Sequence, residues 1–270
     1  MLSDYMKSVS APADHGLRRK QIKEKKMNDT IRQLIGRKSV RVFEEREIDE
    51  PIIREILTAA VNAPTAGNQQ LYTILRITDP DIKARLSESC DHQPFIAEGK
   101  LVLVFCADCL KWYEAFRSAG CDPREPGAGD LLLAVDDALI AAQNAVTAAE
   151  SHGIGSCYIG DIMENIETQR EILSLPQYVF PAALLVFGYP TEQQKNRKKP
   201  ERAPMEYIVQ ENTYHPHTPE ELRGMFANKC GGTAYEDWMK AFCNRKYNSD
   251  FSREMTRSVT AALKTFSYQN

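Results

Sequence analysis

The sequence predicts an α+β domain. Short apolar runs of strand length alternate with segments whose apolar residues recur at helical spacing. No GxGxxG and no P-loop marks the interleaved elements as a parallel nucleotide-binding sheet. The composition agrees, with 43% hydrophobic and 26% charged residues in 270, values of a globular chain able to bury a sizeable core.

The elements follow in order. Asn28 to Ile35 reads as a short helix stopped at Gly36. Asp49 is placed to cap a second helix whose first turn holds Glu50 and Pro51, with Ile52, Ile53, Ile56, Leu57, Ala60 and Val61 on one face until Asn62-Ala63-Pro64 ends it. Tyr72 to Ile77 alternates as a strand, and Asp79 caps a helix to about Ser87. Leu101 to Cys106, the longest apolar run, reads as a central buried strand and is far short of a membrane span. A helix from Asp108 to Ser118 and a Pro- and Gly-rich loop from Cys121 to Gly129 lead to the strongest helical signal, Asp130 to His152, ended by Gly153. That helix is apolar on most of its circumference, so it lies in the middle of a thick monomer or in a subunit interface. Glu164 to Leu175 is helical, Pro181 to Tyr189 is a last apolar strand, 190–204 is a basic loop, and the tail from Thr218 reads as two or three helices. Three or four core strands are expected.

Charge excludes some functions. Lys and Arg number 34 against 37 Asp and Glu, a net of −3, so nothing global calls for nucleic acid or an anionic membrane. Seven cysteines, an odd number without disulfide-like spacing, read as reduced thiols of a cytoplasmic protein. Residues 1–26 are basic without an apolar stretch, an expected disordered extension before a domain spanning 27–270.

Four segments carry candidate chemistry. Arg37-Lys38-Ser39-Val40-Arg41 offers two guanidinium groups, an ammonium and a hydroxyl, which suits a phosphate monoester. In Ala63-Pro64-Thr65-Ala66-Gly67-Asn68-Gln69-Gln70, extended backbone would point Asn68 and Gln70 to one face, where their amides match a heterocycle edge of alternating donors and acceptors. Gly153 to Gly160 has glycines that let backbone approach a flat ligand, and it includes Tyr158 and Ile159. Lys195 to Arg202 adds Lys195, Arg197, Lys198, Lys199 and Arg202. Alone, each also reads as an ordinary surface run, turn or cap.

In this order the four resemble the FMN-dependent nitroreductase family, which includes NAD(P)H flavin reductases. Arg37 to Arg41 looks like that family's RRSxR-like phosphate segment. Ala63 to Tyr72 resembles its APSxxNxQPW-like flavin segment, with Thr65 for Ser, Leu71 for Pro and Tyr72 for Trp. Gly153 to Asp161 resembles its GLGTCWIGG-like segment, and Lys199 to Pro204 its K-P-R-x-P-like loop with one extra residue. Gln93 and the run Glu211 to Tyr214 resemble the larger flavin reductase branch. The resemblance covers roughly residues 28–266. It implies a mainly antiparallel sheet flanked by helices, and an intertwined homodimer whose C-terminal helices, from about 218, embrace the partner.

It further implies bound FMN and NAD(P)H as co-substrate, with hydride passing through flavin N5 to a small-molecule acceptor such as a nitroaromatic, quinone or flavin in ping-pong fashion. Arg37, Ser39, Arg41, Lys199 and Arg202 would hold the phosphate. Pro64, Thr65, Asn68, Gln70, Gln93, Tyr158, Ile159 and Gly160 would contact the flavin, and Lys38 or Arg37 would place a cation near N1 and O2. No catalytic side chain and no metal is expected. Arg245 and Lys246 are candidates for a nicotinamide 2′-phosphate. A non-catalytic FMN-binding redox sensor, a specialised reductase such as a dehalogenase, and an interaction protein acting through 1–26 are the competing readings. Cys106-Ala-Asp-Cys109, His215-Pro-His217 and Cys157 read as structural, and Asp136-Asp137, unusual on the long apolar helix, is expected to cap or pair somewhere in the dimer.

Overall fold

The computed structural model describes residues 27–266, so the basic segment 1–26 lies outside the described residues. The chain forms α1 (Asp29–Gly36), α2 (Glu50–Val61), β1 (Tyr72–Ile77), α3 (Pro80–Ser89), β2 (Leu101–Asp108), α4 (Leu110–Ser118), α5 (Ala128–Ser151), β3 (Gly155–Ile159), α6 (Ile166–Leu173), β4 (Val179–Gly188), α7 (Glu192–Asn196), α8 (Pro219–Cys230), α9 (Tyr235–Lys246) and α10 (Asp250–Lys264). The strands make one four-stranded sheet in the order β1-β2-β4-β3, every neighbour antiparallel.

The local signals act as their chemistry requires. Asn28 accepts from Thr30 N, and Asp79 accepts from Asp81 N and Ile82 N. Thr218 and Glu221 form a reciprocal capping box at the start of α8. Asp49 takes the N-cap position without a side-chain bond, leaving the start of α2 to Pro51. Several boundaries differ from the sequence reading. β2 runs on to Asp108, whose carboxylate caps Leu110 N and Lys111 N, so α4 starts later. A 3-10 turn at Gly160–Met163 delays α6, and the loop after β4 contains α7.

The run Leu101–Asp108 is buried on both faces because the sheet is a middle layer. Leu101, Leu103 and Phe105 face α2 and α5, while Val102, Val104 and Cys106 face α3 and α6. The register shifts between Phe105 and Cys106, a local irregularity in the β2–β4 pairing. α5 lies against the first face by its alanines, with Ala134, Ala138, Ala141, Ala142, Ala145 and Ala149 fully buried. Small side chains let α2 approach closely enough for Asn144 Nδ2 to donate to Ala59 O at 3.1 Å. By length and composition α5 would cross a membrane, yet its alanine face is packed inside the domain. Phe266 and Ala262 of the C-terminal segment complete the same core, with Phe266 edge-on to Tyr178. α8 and α9 pack on each other and bury little, Met225 being the buried residue of the pair.

One polar group interrupts the alanine face. Asp137 is 2% exposed. Its Oδ1 accepts from Ala66 N at 3.0 Å, and its Oδ2 accepts from Leu71 N at 3.1 Å and from the Thr65 hydroxyl. Thr65 Oγ1 accepts in turn from Gln70 N at 2.8 Å. A single side chain thus closes the loop between α2 and β1. Asp137→Ala leaves these donors without an acceptor, at about 1–3 kcal/mol for each one that stays buried. The expected outcome is a loss of at least about 2 kcal/mol in urea denaturation, with the loop turning protease-sensitive.

Candidate functional site

Three of the four segments converge at the C-terminal end of α5. After α1 the chain runs extended along the free edge of β3. Ser39 bridges Ser156 in parallel, Val40 N donates to Ser156 O at 2.9 Å, and Phe43 bridges Pro190. Two glycines permit this approach. A Cβ on Gly155 would sit 2.5 Å from Val40 Cγ2, and one on Gly188 would sit 2.7 Å from the Phe43 ring. The basic loop after β4 folds back over the same segment. Lys38 Nζ donates to Lys195 O at 2.7 Å and to Arg197 O. Arg197 donates to Ser39 O, Lys199 Nζ donates to Ile35 O, and Gln194 Oε1 accepts from Arg41 N at 3.3 Å.

The result is a cavity of about 230 Å³ bounded by Arg37, Lys38, Glu150, Gln194, Lys195 and Gly155. Arg37 Nη2 lies 3.3 Å from Ser156 Oγ and 3.4 Å from Ser156 O, and its guanidinium stands 6.0 Å from the Tyr158 ring centroid. Arg37 Nε is buried with no hydrogen-bond partner among the described residues, the nearest carboxylate atom being Glu150 Oε1 at 3.9 Å. Burial lowers the Lys199 pKa, and the neighbouring Arg202 and Arg37 lower it further. Arg41 and Ser39 face Cys157, whose thiol is pushed up by burial against their opposing pull. Desolvated cations with an unmatched donor fit a phosphate monoester, which brings charge and several acceptor oxygens at once.

The flavin-edge candidates lie further along β3. Tyr158 OH lies 3.4 Å from Gln143 Oε1 of α5, and burial raises this phenol to about 12. Ile159 is buried, while Gly160 opens a 3-10 turn and has nothing within 4 Å of where a Cβ would stand. Gln93 follows Asp91 and His92, both left-handed, and its Nε2 donates to Cys90 O at 2.8 Å. Asp91 is an electrostatic neighbour of Glu164, as is Asp161, so the Gln93 loop stands beside the end of the β3 segment.

The second segment is elsewhere in the chain, and its backbone is not extended. Gly67, Asn68 and Gln70 have φ of 56°, 57° and 50°, so the shared face expected for Asn68 and Gln70 does not form. Gln70 Nε2 donates to Val61 O at 2.9 Å, while Asn68 and Pro64 are exposed. This loop is anchored at Asp137 and the cavity lies at Glu150, positions separated by about 20 Å of helix rise. The sheet gives the same answer. Leu71 O accepts from Asp108 N at one end of β2, whereas Leu101 pairs with Phe187 beside the Gly155–Gly188 pair at the other, about 24 Å away. Lys38, expected near a flavin ring, is turned onto the two loop carbonyls instead.

Asp137, Glu150 and Gln194 are residues of the candidate site that sequence reasoning did not single out as such. The one available signal was an acidic pair inside an alanine-rich helix. Arg245 and Lys246 end α9, on the rings of Phe242 and Phe251. Cys106 and Cys109 are buried thiols pushed up to about 12. His215 Nε2 meets Thr213 Oγ1 at 3.0 Å, and no His, Cys, Asp and Glu group among the described residues is arranged to hold a metal.

Glu164 follows the β3 segment. It is 5% exposed, and its pKa is raised to about 7 by burial and by Asp161, Asp91 and Glu254. Glu254, on α10, accepts from Asn165 N at 3.1 Å and pairs with Arg257 at 2.7 Å, so Glu164 lies in the seam where the C-terminal helix docks. Its folded pKa lies above the unfolded one. The stability linked to this group is therefore full below about 4.5 and is lost as pH rises through about 7. Glu164→Gln is expected to stabilise the fold by on the order of 1 kcal/mol at pH 8 and to be near neutral at pH 5. Chemical denaturation at the two pH values measures the difference, and equal effects at both would contradict it.

Comparison with known proteins matches this arrangement. Residues 34–189, more than half of the chain, match the model of the nitroreductase family. An FMN reductase [NAD(P)H] of Bacillus subtilis is 30% identical over 90% of this chain and 94% of its own length. An oxygen-insensitive NADPH nitroreductase of Salmonella typhimurium is 33% identical over 78% of this chain and 88% of its own. The solved structure of a Bacillus subtilis nitroreductase superposes with a TM-score of 0.71 at 27% identity, covering 84% of this chain and 98% of that one. With the α+β fold, the antiparallel sheet and the basic cavity at the end of α5 already in place, these matches establish that the chain belongs to the nitroreductase family.

Proposed function

We propose that the chain is an FMN-dependent oxidoreductase that takes hydride from NAD(P)H and delivers it to nitroaromatic, quinone or flavin acceptors in ping-pong fashion. The observation that carries this reading is the basic cavity with the buried, unmatched Arg37 Nε at its wall. The names of the relatives, an FMN reductase and an NADPH nitroreductase, support it. Bound FMN would supply the hydride-accepting centre. The protein's part is to bind and orient. Arg37, Ser39, Arg41, Lys199 and Arg202 hold the phosphate. The open backbone at Gly160 and the side chain of Gln93 would contact the ring. No side chain is required as nucleophile or general acid.

The reading extends to a homodimer. The outward face of α5 exposes Leu132, Leu133, Leu139 and Ile140, and α1 exposes Ile31, Leu34 and Ile35. Covering these faces by a second copy buries them. Because Thr65, Asn68 and Gln70 stand about 20 Å from their own cavity, the loop of one copy serves the cofactor held by the other.

Absorption spectroscopy tests the chemistry. Purified or FMN-reconstituted protein is expected to show a flavin spectrum that bleaches with anaerobic NADPH or NADH and recovers on adding a quinone or nitroaromatic. A flavin that binds but never bleaches would favour the sensor reading, and no flavin binding would end the proposal. Mutant mixing tests the shared site. Arg41→Ala weakens FMN binding roughly ten- to hundredfold, by loss of a charge-assisted contact. Mixed with Asn68→Ala chains, it is expected to regain tight binding at one site per pair, since that site has both parts intact. No recovery on mixing would place the loop and the cavity of one chain on the same flavin.

A further inference from the structure

We infer that Glu150 is the counter-anion of the phosphate cavity, balancing Arg37 until a phosphate ester arrives and taking up one proton when it does. This rests on the FMN reading above and adds to it a residue, a proton and a pH dependence.

Glu150 occupies the last turn of α5, where the helix dipole and the free carbonyls already add negative potential. A carboxylate is unfavourable there unless cations surround it. They do: Arg37 Nε is 3.9 Å from Glu150 Oε1, Lys38 and Lys199 face it, and Lys195 shares the cavity wall with it. The fit with Arg37 is nevertheless poor. The separation is too long for a hydrogen bond, and Arg37 Nε is left unmatched beside the Glu150 carboxylate, whose residue accepts from Gly153 N only through its backbone carbonyl. A carboxylate that merely stapled Arg37 would meet the fork of the guanidinium in register. Here the pair is loose, in a cavity of about 230 Å³ that has room for a better acceptor.

A phosphate ester in that cavity is such an acceptor, and it brings up to two negative charges next to Glu150. Burial already raises the Glu150 pKa, with Arg37, Lys199 and Lys38 holding it down. Phosphate takes over those cations, so their support for the carboxylate is withdrawn and a like charge is added. Both changes favour the protonated acid. By linkage, binding then takes up a proton from solvent, and affinity falls as pH rises through the interval between the free and bound values. Other groups near this end of α5 have partners or surroundings of their own. His152 pairs with Glu55 of α2 at 2.8 Å, Glu44 pairs with Lys195 at 3.2 Å, and burial holds the protons on Tyr158 and Cys157.

Calorimetry decides the matter. The apo-protein is titrated with FMN at pH 7.5 in two buffers of different ionisation enthalpy, which counts protons. The phosphate of free FMN is already largely dianionic there, so it contributes little to the count. Wild type is expected to take up close to one proton and to lose about tenfold in affinity for each unit by which the ligand lifts the Glu150 pKa, between pH 6.5 and 8.5. Glu150→Gln is expected to take up none, and to bind more tightly with a flat profile over that range. Glu150→Asp retains the uptake, which covers the case of a Gln variant that folds poorly, and Glu55→Gln leaves the uptake unchanged. Riboflavin, which has no phosphate, takes up no proton in any of them. FMN binding without proton uptake, or equal uptake in wild type and Glu150→Gln, would overturn the role of Glu150 alone. Failure of wild type to bind FMN at all would overturn this inference together with the FMN reading.

Discussion

The alanine face of α5 sets the distances in this molecule. With no side chain longer than a methyl group at Ala134, Ala138, Ala141, Ala142, Ala145 and Ala149, the helix lies close to the sheet and to α2. Dense packing of this kind resists deformation. What is attached to the helix is therefore held at fixed separations. The loop 65–71 is attached at Asp137, Tyr158 meets the helix at Gln143, and Arg37 meets it at Glu150. Three pieces of a candidate site are spaced along one rigid rod.

The polar groups at the two ends of that spacing are satisfied by opposite means. Asp137 is a buried carboxylate, and no cation among the described residues is bonded to it. Two backbone N–H groups and a hydroxyl supply the dipoles, so a fully desolvated charge is matched by a turn rather than by a salt bridge. At the other end there is an excess of cations in a chain whose net charge is −3. Lys38, Arg197 and Lys199 donate to the carbonyls of Lys195, Arg197, Ser39 and Ile35. Those carbonyls tie the loop after β4 to the segment after α1 without neutralising it. The cavity therefore keeps a positive field with Glu150 as its nearby anion, which is what an anionic ligand requires of its binding site.

How much of this was legible in the sequence depended on whether the signal was local. The run Leu101–Cys106, the cap at Asp79 and the glycine stop after α5 are properties of neighbouring residues, and they could be read directly. Arg37 to Arg41 and Lys195 to Arg202 were legible by composition as candidate phosphate-binding runs, and the fold shows that the second lies over the first. The left-handed turns at Asn68 and Gln70 were not legible. Neither residue type demands positive φ, and what imposes it is an acceptor some 70 positions further on. Asp137 was visible only as an anomaly, an acid where alanines were expected, because its partners are backbone groups that leave no compositional trace. Glu150 was hidden for a different reason. At the end of an amphipathic helix an acid reads as solvated surface, and only the return of two basic segments encloses it.

The separation between the loop and the cavity bears on assembly. A cofactor site usually draws its residues from elements that close around one cleft. In this chain the segments that resemble a single family's cofactor contacts lie at opposite ends of the sheet, and the packing of α5 leaves no freedom to draw them together. Movement within the chain would require Asp137 to release three donors or the alanine face to come apart, and both are costly in a close-packed interior. A second copy needs neither. In the proposed dimer it would present the same loop from outside, and the exposed leucines of α5 and the exposed isoleucines of α1 offer it apolar area to bury. In the proposed dimer the rigidity that holds loop and cavity apart in one chain is then what would let two chains complete both sites, because a loop pinned to its own helix would reach its neighbour in a defined position.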